Sequence, residues 1–365
     1  MTDEEYMQLA LNLASATKGQ TSPNPVVGAI VVKNGKVIGM GAHLKRGEAH
    51  AEVIALQMAG NEAENADVYV TLEPCSHYGK TPPCAELLIE KRVKRVVIAT
   101  EDPNEQVSGQ GIEKLKQAGI QVETGILQEK AEWLNRHFFH YIRTGQPYVT
   151  LKTAASLDGK TATRTGESKW ITGEAARLAG HDLRHTHDAI LVGVDTVMAD
   201  DPSLTVRRPN GGIHPIRVIV DRHLRTPLSS KMIQDKEAPV WILCTKEADE
   251  EKKRQLENRG VQVFSFPSIN IDVRDVLTFL GKKEITSLYV EGGATVHASF
   301  VENHLFQEIV CFIAPKIIGG RDAPSVIGGE GIASMEEITS LDIVSLDRVG
   351  EDIQIVAIPK KKGRT

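Results

Sequence analysis

His50-Ala51-Glu52, then Thr71-Leu72-Glu73-Pro74-Cys75, then Cys84: these residues decide how the chain is read. One histidine and two cysteines fill three corners of a tetrahedral Zn²⁺ site and leave the fourth for water. Glu52 lies two residues past the histidine and is not needed as a ligand. It is free to carry a proton between that water and a substrate amine. The plainer alternative is a structural zinc closed by a fourth protein ligand, for which His43 and His77 are the nearest candidates. A closed site leaves Glu52 without a task, so catalysis is the favoured role.

Outward from this motif, the first half alternates helix and strand. Tyr6 to Ala16 has helical spacing, Val26 to Val32 is a short apolar strand, and Asn34-Gly35 is a hairpin signal leading into Val37 to Ala42. His50 to Met58 predicts a helix, Val68 to Leu72 a strand, Cys84 to Ile89 a helix and Val96 to Ala99 a buried strand. A further helix and strand follow around Ile112 to Val122. His50, Glu52 and Cys84 then sit near two helix starts, whose dipoles suit a thiolate and a developing anion. From Asn135 to Pro147 the pattern loosens, which places a domain boundary there: 1–145 and 146–365. Beyond it, strands at Tyr148–Ala154, Ala189–Val194, Ile216–Asp221, Val240–Cys244, Ser287–Val290 and Ile309–Ile313 alternate with helical stretches, among them the charge-rich Lys246 to Arg259. That alternation predicts a second, mostly parallel α/β domain.

The 365 residues suffice for two ordinary cores. A formal net charge of -5 gives no basic field to draw nucleic acid, and the basic Lys360 to Arg364 is too short to change that. Four cysteines, two of them in the metal motif, are too few for a disulfide scaffold and suit a reducing compartment. Thr2-Asp3-Glu4-Glu5 looks like a helix cap rather than a signal peptide, and no apolar run approaches the ~20 residues of a membrane span. A cytoplasmic enzyme without nucleic-acid or membrane partners is expected, with a small-molecule substrate.

Other residues gather around the zinc motif. The insert between the cysteines, Ser76 to Pro83, carries His77 and Lys80, either phosphate contacts or ordinary surface groups. Asn24, between two prolines, reads a base edge or sugar hydroxyl, or else caps its own turn. Asp102-Pro103-Asn104 follows a strand end, where α/β sheets bind ligands, or is again a turn. His-x-Glu, Pro-Cys and a further Cys form the pattern of zinc nucleobase deaminases, which usually carry Pro-Cys-x-x-Cys. Here eight residues separate the cysteines. The run Asn24-Pro25, Ala42-His43, Gly47, His50-Ala51-Glu52 and Thr71 to Cys84 closely resembles the bifunctional riboflavin biosynthesis family, a pyrimidine deaminase fused to a pyrimidine reductase. The resemblance implies a cytidine-deaminase-like three-layer domain with Zn²⁺ on His50, Cys75 and Cys84, and Glu52 as proton carrier. Asn24, His43, His77 and Lys80 would meet a ribosylamine phosphate of a diaminopyrimidinone, which loses an amine; Asp102 and Asn104, by their place at a strand end, are expected to join them.

The second half lacks a GxGxxG loop, but Val290-Glu291-Gly292-Gly293-Ala294-Thr295 joins a strand to a helix with two glycines. Ile317-Ile318-Gly319-Gly320 is a second glycine-rich loop or only a turn. Lys152 in an apolar strand points into a site or snorkels to its edge; Arg184 and Arg207 could fork onto a phosphate. With Leu157 to Lys160, Ser168 to Thr172 and Val192 to Arg207, these segments resemble the reductase half of the same family. A dihydrofolate-reductase-like fold using NADPH is implied. Ser168, Arg184, Leu204, Arg207 and Glu291 match substrate positions. Ala154, Trp170, Thr196, Asp200, Gly292, Gly293, Ala294 and Thr295 match cofactor positions, and Lys152 lies beside the reacting centre. Arg222, next to Asp221 at a strand end, would read a cofactor 2′-phosphate, whereas Asp221 alone would favour the bare hydroxyl. A homo-oligomer is the expected assembly. The competing expectation is a nucleoside or tRNA base deaminase whose second domain only binds.

Overall fold

Asn34 and Gly35 take left-handed backbone angles, φ 51° and 74°, and turn β1 (Gly28–Lys33) back onto β2 (Lys36–Ala42). Two positive-φ residues in succession are what a tight hairpin with the right strand twist requires. The computed structural model describes residues 1–78, 82–104 and 107–360. Lys80, with Gly79 and Thr81, and the tail beyond Lys360 lie outside the described residues. By chain contacts the protein divides into Met1–Gly145 and Gln146–Thr365. Among the described residues no helix is long and apolar enough to cross a membrane.

In the first unit β3 (Asp67–Val70), β4 (Arg95–Ile98) and β5 (Gln121–Thr124) complete a sheet ordered β2-β1-β3-β4-β5. β1 is antiparallel to both neighbours, and β3, β4 and β5 are parallel. Alternation along the strands divides the core. Ala29, Val31, Val68, Val70, Val96 and Ile98 face helices Ala51–Ala59, Cys84–Glu90 and Gln110–Gln117. Ile30, Val32, Tyr69 and Val97 face helix Asp3–Ser15, which Thr2 and Glu5 cap reciprocally. Three layers result. The Asn135 to Pro147 stretch, which loosens in sequence, is in fact mostly the helix Arg136–Thr144, following directly on Gln128–Leu134. Of Arg136–Thr144 Phe139 is buried and Phe138, Tyr141 and Ile142 are half-buried, interleaved with Arg136, His137, His140 and Arg143.

The second unit holds β6 (Tyr148–Ser156), β7 (Ala189–Gly193), β8 (Ile216–Val220), β9 (Val240–Thr245), β10 (Gln262–Phe266), β11 (Ser287–Val290), β12 (Glu308–Ala314), β13 (Leu341–Val349) and β14 (Asp352–Pro359). Their order is β10-β9-β8-β7-β11-β6-β12-β14-β13, parallel up to β12, with β14 and β13 antiparallel at the edge. After β7 the chain moves outward to β8, whereas after β11 it crosses β6 to β12. The crevice between the ends of β7 and β11 is therefore the switch point at which such sheets bind ligands. β10, β13 and β14 have no counterpart among the strands the sequence marks: β13 is exposed along nearly its whole length and gives no clean alternation.

Candidate active sites

His50 caps helix Ala51–Ala59 and Cys84 begins helix Cys84–Glu90, while Cys75 lies in the loop after β3. His50 Nδ1 stands 3.6 Å from Cys75 Sγ and 3.3 Å from Cys84 Sγ. Zn–S bonds of about 2.3 Å and a Zn–N bond of about 2.0 Å at tetrahedral angles put ligand atoms about 3.5–3.8 Å apart, so the trio fits zinc. Among the described residues no fourth His, Cys, Asp or Glu joins the three. His43, a candidate fourth ligand, meets the Ala49 carbonyl with Nδ1 at 3.2 Å and Asn24 Nδ2 with Nε2 at 3.1 Å. Its ring stands edge-on to His50, 5.4 Å between centroids. A hydrogen bond from the Cys84 thiol, opposed by burial and aided by His50, holds Cys75 down at about 4, the thiolate a metal requires. Glu52 is buried beside the trio; burial, then the Cys75 charge, pushes its carboxyl up to about 7.

Backbone contacts seat these ligands. A Cβ on Gly39 would lie 2.1 Å from the Ala55 carbonyl, and one on Gly41 2.4 Å from that of Ala51, so the metal-bearing helix rests directly on β2. A Cβ on Gly111 would lie 2.1 Å from the carbonyl of Pro74, the residue before Cys75. Glu73 fixes the same loop from inside. Its Oε2 accepts from the amides of Asp102 and Gly109 at 3.2 and 3.0 Å, and its Oε1 from those of Gly111 and Ile112 at 2.9 and 3.4 Å. Neither Glu73 nor Gly111 stands out in the sequence as a site residue, although a carboxylate between a buried strand and Pro74-Cys75 is a usable signal. Gly111→Ala is expected to displace Cys75 and weaken zinc about 10–100-fold, the range for losing an outer support of a ligand. Competition with a chromophoric chelator measures it; unchanged affinity would show that the loop absorbs the methyl group.

The proposed substrate residues of this unit fall into three groups. Asn24 and His43 form one wall through their mutual hydrogen bond. The segment after Asn24 is tied by Asn135, which accepts from Val26 N and donates to Val26 O, both at 2.9 Å. Asp102 and Asn104 form a turn, the Asn104 amide donating to Asp102 at 2.8 Å. Burial raises the Asp102 carboxyl, opposed by the Asn104 amide. His77 is exposed, and Lys80 lies outside the described residues.

In the second unit Glu291 leaves the end of β11 between two cations. Lys152 Nζ lies 3.2 Å from its Oε1; Arg184 donates through Nε and Nη2 to its Oε2 at 2.9 and 2.6 Å. Burial alone would raise this carboxyl, but Arg184 and Lys152 outweigh it and hold it down at about 2. Lys152 is thus paired inside the unit rather than snorkelling. Arg184 also donates through Nη1 to the Thr205 carbonyl at 3.0 Å, so its fork is engaged before any phosphate arrives. The turns after β7 and β11 open side by side: a Cβ on Gly193 would come within 3.0 Å of Val296, and one on Gly293 within 3.7 Å of Thr196 Oγ1. Gly293 caps helix Ala294–Glu302, bringing Thr196 and the Gly292–Thr295 turn together. Asp200 ends the helix carrying Thr196 and lies 3.9 Å from Lys169, between Ser168 and Trp170. The Trp170 ring is exposed under Arg177, so it is not a core residue. Ala154 is half-buried on β6.

Two sequence alternatives resolve otherwise. Asp158 accepts from the amides of Ile318 and Gly319 at 3.1 and 2.7 Å, so the Ile317 to Gly320 segment is a clipped turn whose two central amides are already used. The buried Asp221 accepts from Arg225 N, Thr226 N and Thr226 Oγ1 at 2.9, 2.7 and 2.7 Å, which corrects its reading as a ribose partner. Arg222 lies 3.8 Å from Glu247 at the end of β8.

Comparison with known proteins matches both units. Residues 1–100 match the cytidine and deoxycytidylate deaminase zinc-binding region, and residues 147–355 the RibD C-terminal domain. Over 98% of this chain and 96% of the relative, the sequence is 53% identical to riboflavin biosynthesis protein RibD of Bacillus amyloliquefaciens. It is 48% identical to that of Aquifex aeolicus over 97% of each. The structure of Acinetobacter baumannii RibD superposes with a TM-score of 0.89 at 39% identity, covering 98% of this chain and 99% of that one. A deaminase/reductase of Thermotoga maritima gives 0.86 at 36%, with the same coverage.

Proposed function

Because the chain belongs to the bifunctional riboflavin biosynthesis family, a zinc-dependent pyrimidine deaminase joined to an NADPH-dependent reductase, we propose a role for each residue of its two sites. The protein removes an amine hydrolytically from 2,5-diamino-6-ribosylamino-4(3H)-pyrimidinone 5′-phosphate and then reduces the ribosyl group to ribityl. One observation carries the assignment: the open His50-Cys75-Cys84 trio with Glu52 buried beside it, in a chain whose second unit sets Glu291 next to paired glycine turns.

Zinc held by His50, Cys75 and Cys84 would lower the pKa of a water in the fourth position toward neutrality. Glu52, buried beside the trio, is placed to carry a proton to the departing ammonia, shielded from bulk water. Asn24 and His43 orient the pyrimidine, and Asp102, Asn104 and His77 border the sugar phosphate. In the other unit NADPH supplies the hydride. Gly292, Gly293, Ala294 and Thr295 let main-chain amides meet its phosphate, with Thr196, Asp200, Trp170, Ala154 and Arg222 around it. Glu291, kept ionised by Arg184 and Lys152, accepts hydrogen bonds from the ribose hydroxyls. Ser168, Leu204 and Arg207 hold the rest of the substrate, and Lys152 stands beside the reacting carbon.

Product masses from the diaminopyrimidine substrate test the whole. Deaminated ribosyl product without NADPH and ribityl product with it are expected; a nucleoside or tRNA base as the preferred substrate would overturn it. Lys80 is proposed to hold the phosphate. Lys80→Ala should weaken binding by about 1.5–3 kcal/mol, seen as a raised KM. An equal loss with a dephosphorylated analogue would remove it as a phosphate ligand.

Assembly is proposed as a homo-oligomer through β13, which leaves Ile343, Val344 and Leu346 exposed along one edge. Ile343→Glu with Leu346→Glu should lower the mass by light scattering to that of one chain. A wild-type mass in the double variant would clear this edge of the role.

A further inference from the structure

We propose that His181 and His185 are positioning residues for the reduction: from helix Glu174–His185 their Nδ1 atoms hold the backbone of the loop carrying Leu204 and Arg207. Four residues apart, they lie on one helix face. The loop from 203 to 213 belongs to no strand among the described residues, so its main-chain polar groups need other partners. Side chains provide them. The Ser203 carbonyl accepts from Arg217 at 3.1 Å and the Thr205 carbonyl from Arg184 at 3.0 Å. The Val206 amide donates to His214 Nδ1 at 3.0 Å, the Arg207 amide to His181 Nδ1 at 3.3 Å, and the Ile213 amide to His185 Nδ1 at 3.0 Å. Arg208 pairs with Asp182 of the same helix at 2.7 Å.

Within this frame Leu204 holds φ at 52°, a left-handed conformation that a branched side chain keeps only where its surroundings impose it. Arg184 then links the Thr205 carbonyl to Glu291, so the loop is referenced directly to the end of β11. An imidazole accepts through Nδ1 only when that nitrogen is unprotonated. Burial, then Arg184 and Arg207, pushes His181 down to about 4, with Glu291 and the main chain at Thr205 opposing. Burial and Arg208 lower His185, opposed by the main chain at Ile213 and by Asp182. Both shifts favour the neutral ring, the form in which Nδ1 can accept.

The inference rests on Leu204 and Arg207 meeting the substrate, and the experiment separates the two claims. Asparagine places an amide oxygen near the position of Nδ1, whereas glutamine places it near Nε2, out of reach of the loop amide. KM and kcat for the deaminated pyrimidine phosphate are measured for Asn and Gln variants at each position, with Arg207→Ala alongside and NADPH titration confirming the fold. Each Gln variant should raise KM about tenfold while kcat stays within about twofold, and each Asn variant should restore most of the loss. If Arg207→Ala leaves KM unmoved, the substrate assignment of the loop fails. If Arg207→Ala raises KM but His181→Gln and His185→Gln do not, or if Asn does no better than Gln, the positioning role is wrong. Should the His181 pair fail to fold, the His185 pair carries the same comparison.

Discussion

Glu52→Gln is expected to lower deamination about 10²–10⁴-fold, the usual contribution of a positioned proton carrier. Hydride transfer to a supplied deaminated substrate should be unchanged. The amide keeps the size of the carboxyl in a site that leaves Glu52 only 3% exposed, so neither packing nor the metal trio need shift. Zinc should remain at one per chain. Cys75→Ser should also abolish deamination but should lose the metal with it, because it removes one of the three ligands. Metal analysis beside the two activities distinguishes the cases. Zinc retained after both Cys75 and Cys84 are changed would sink the ligand assignment; deamination surviving in Glu52→Gln would move the proton elsewhere.

Gly293→Val should weaken NADPH about 10–100-fold, as added methyl groups do in a close-fitting site, with deamination near normal. Position 293 is suited to the test because a Cβ there meets no protein atom nearer than Thr196 Oγ1 at 3.7 Å. The obstruction falls on whatever approaches the turn. Gly292 is different: its Cβ would lie 2.6 Å from that of Val296, so Gly292→Ala should disturb the turn itself. Glu291→Gln removes the charge between Arg184 and Lys152 and should impair reduction with NADPH affinity largely kept. Fluorescence titration of NADPH into these variants decides. Undiminished binding in Gly293→Val would relocate the cofactor, and equal losses in Gly293→Val and Glu291→Gln would void the division of roles.

What was legible in the sequence was local chemistry at fixed spacing. His50, Cys75 and Cys84 announce themselves because a metal demands particular donors, and Asn34-Gly35 because one turn type demands positive φ. The Arg136–Thr144 helix was hidden because its apolar residues, Phe138, Phe139, Tyr141 and Ile142, alternate with basic ones over a short segment. Long-range partners were equally hidden. Nothing near Glu291 in the chain discloses that Arg184, over a hundred residues away, already occupies its Oε2, and nothing near Ile318 and Gly319 that Asp158 takes their amides. Asp221 looked available only because the amides that claim it belong to a loop whose path no motif encodes.

The contacts of Gly39, Gly41 and Gly111 with neighbouring carbonyls carry an engineering consequence. The metal centre is mounted on main chain touching main chain, so its dimensions do not depend on how the surrounding apolar side chains interlock. Random substitution in that core should therefore erode melting temperature well before zinc affinity. Attempts to retrain the deaminase toward other pyrimidines are best aimed at the side chains of Asn24 and Asp102, since Glu73 holds Asp102 through its main-chain amide and not through its carboxyl.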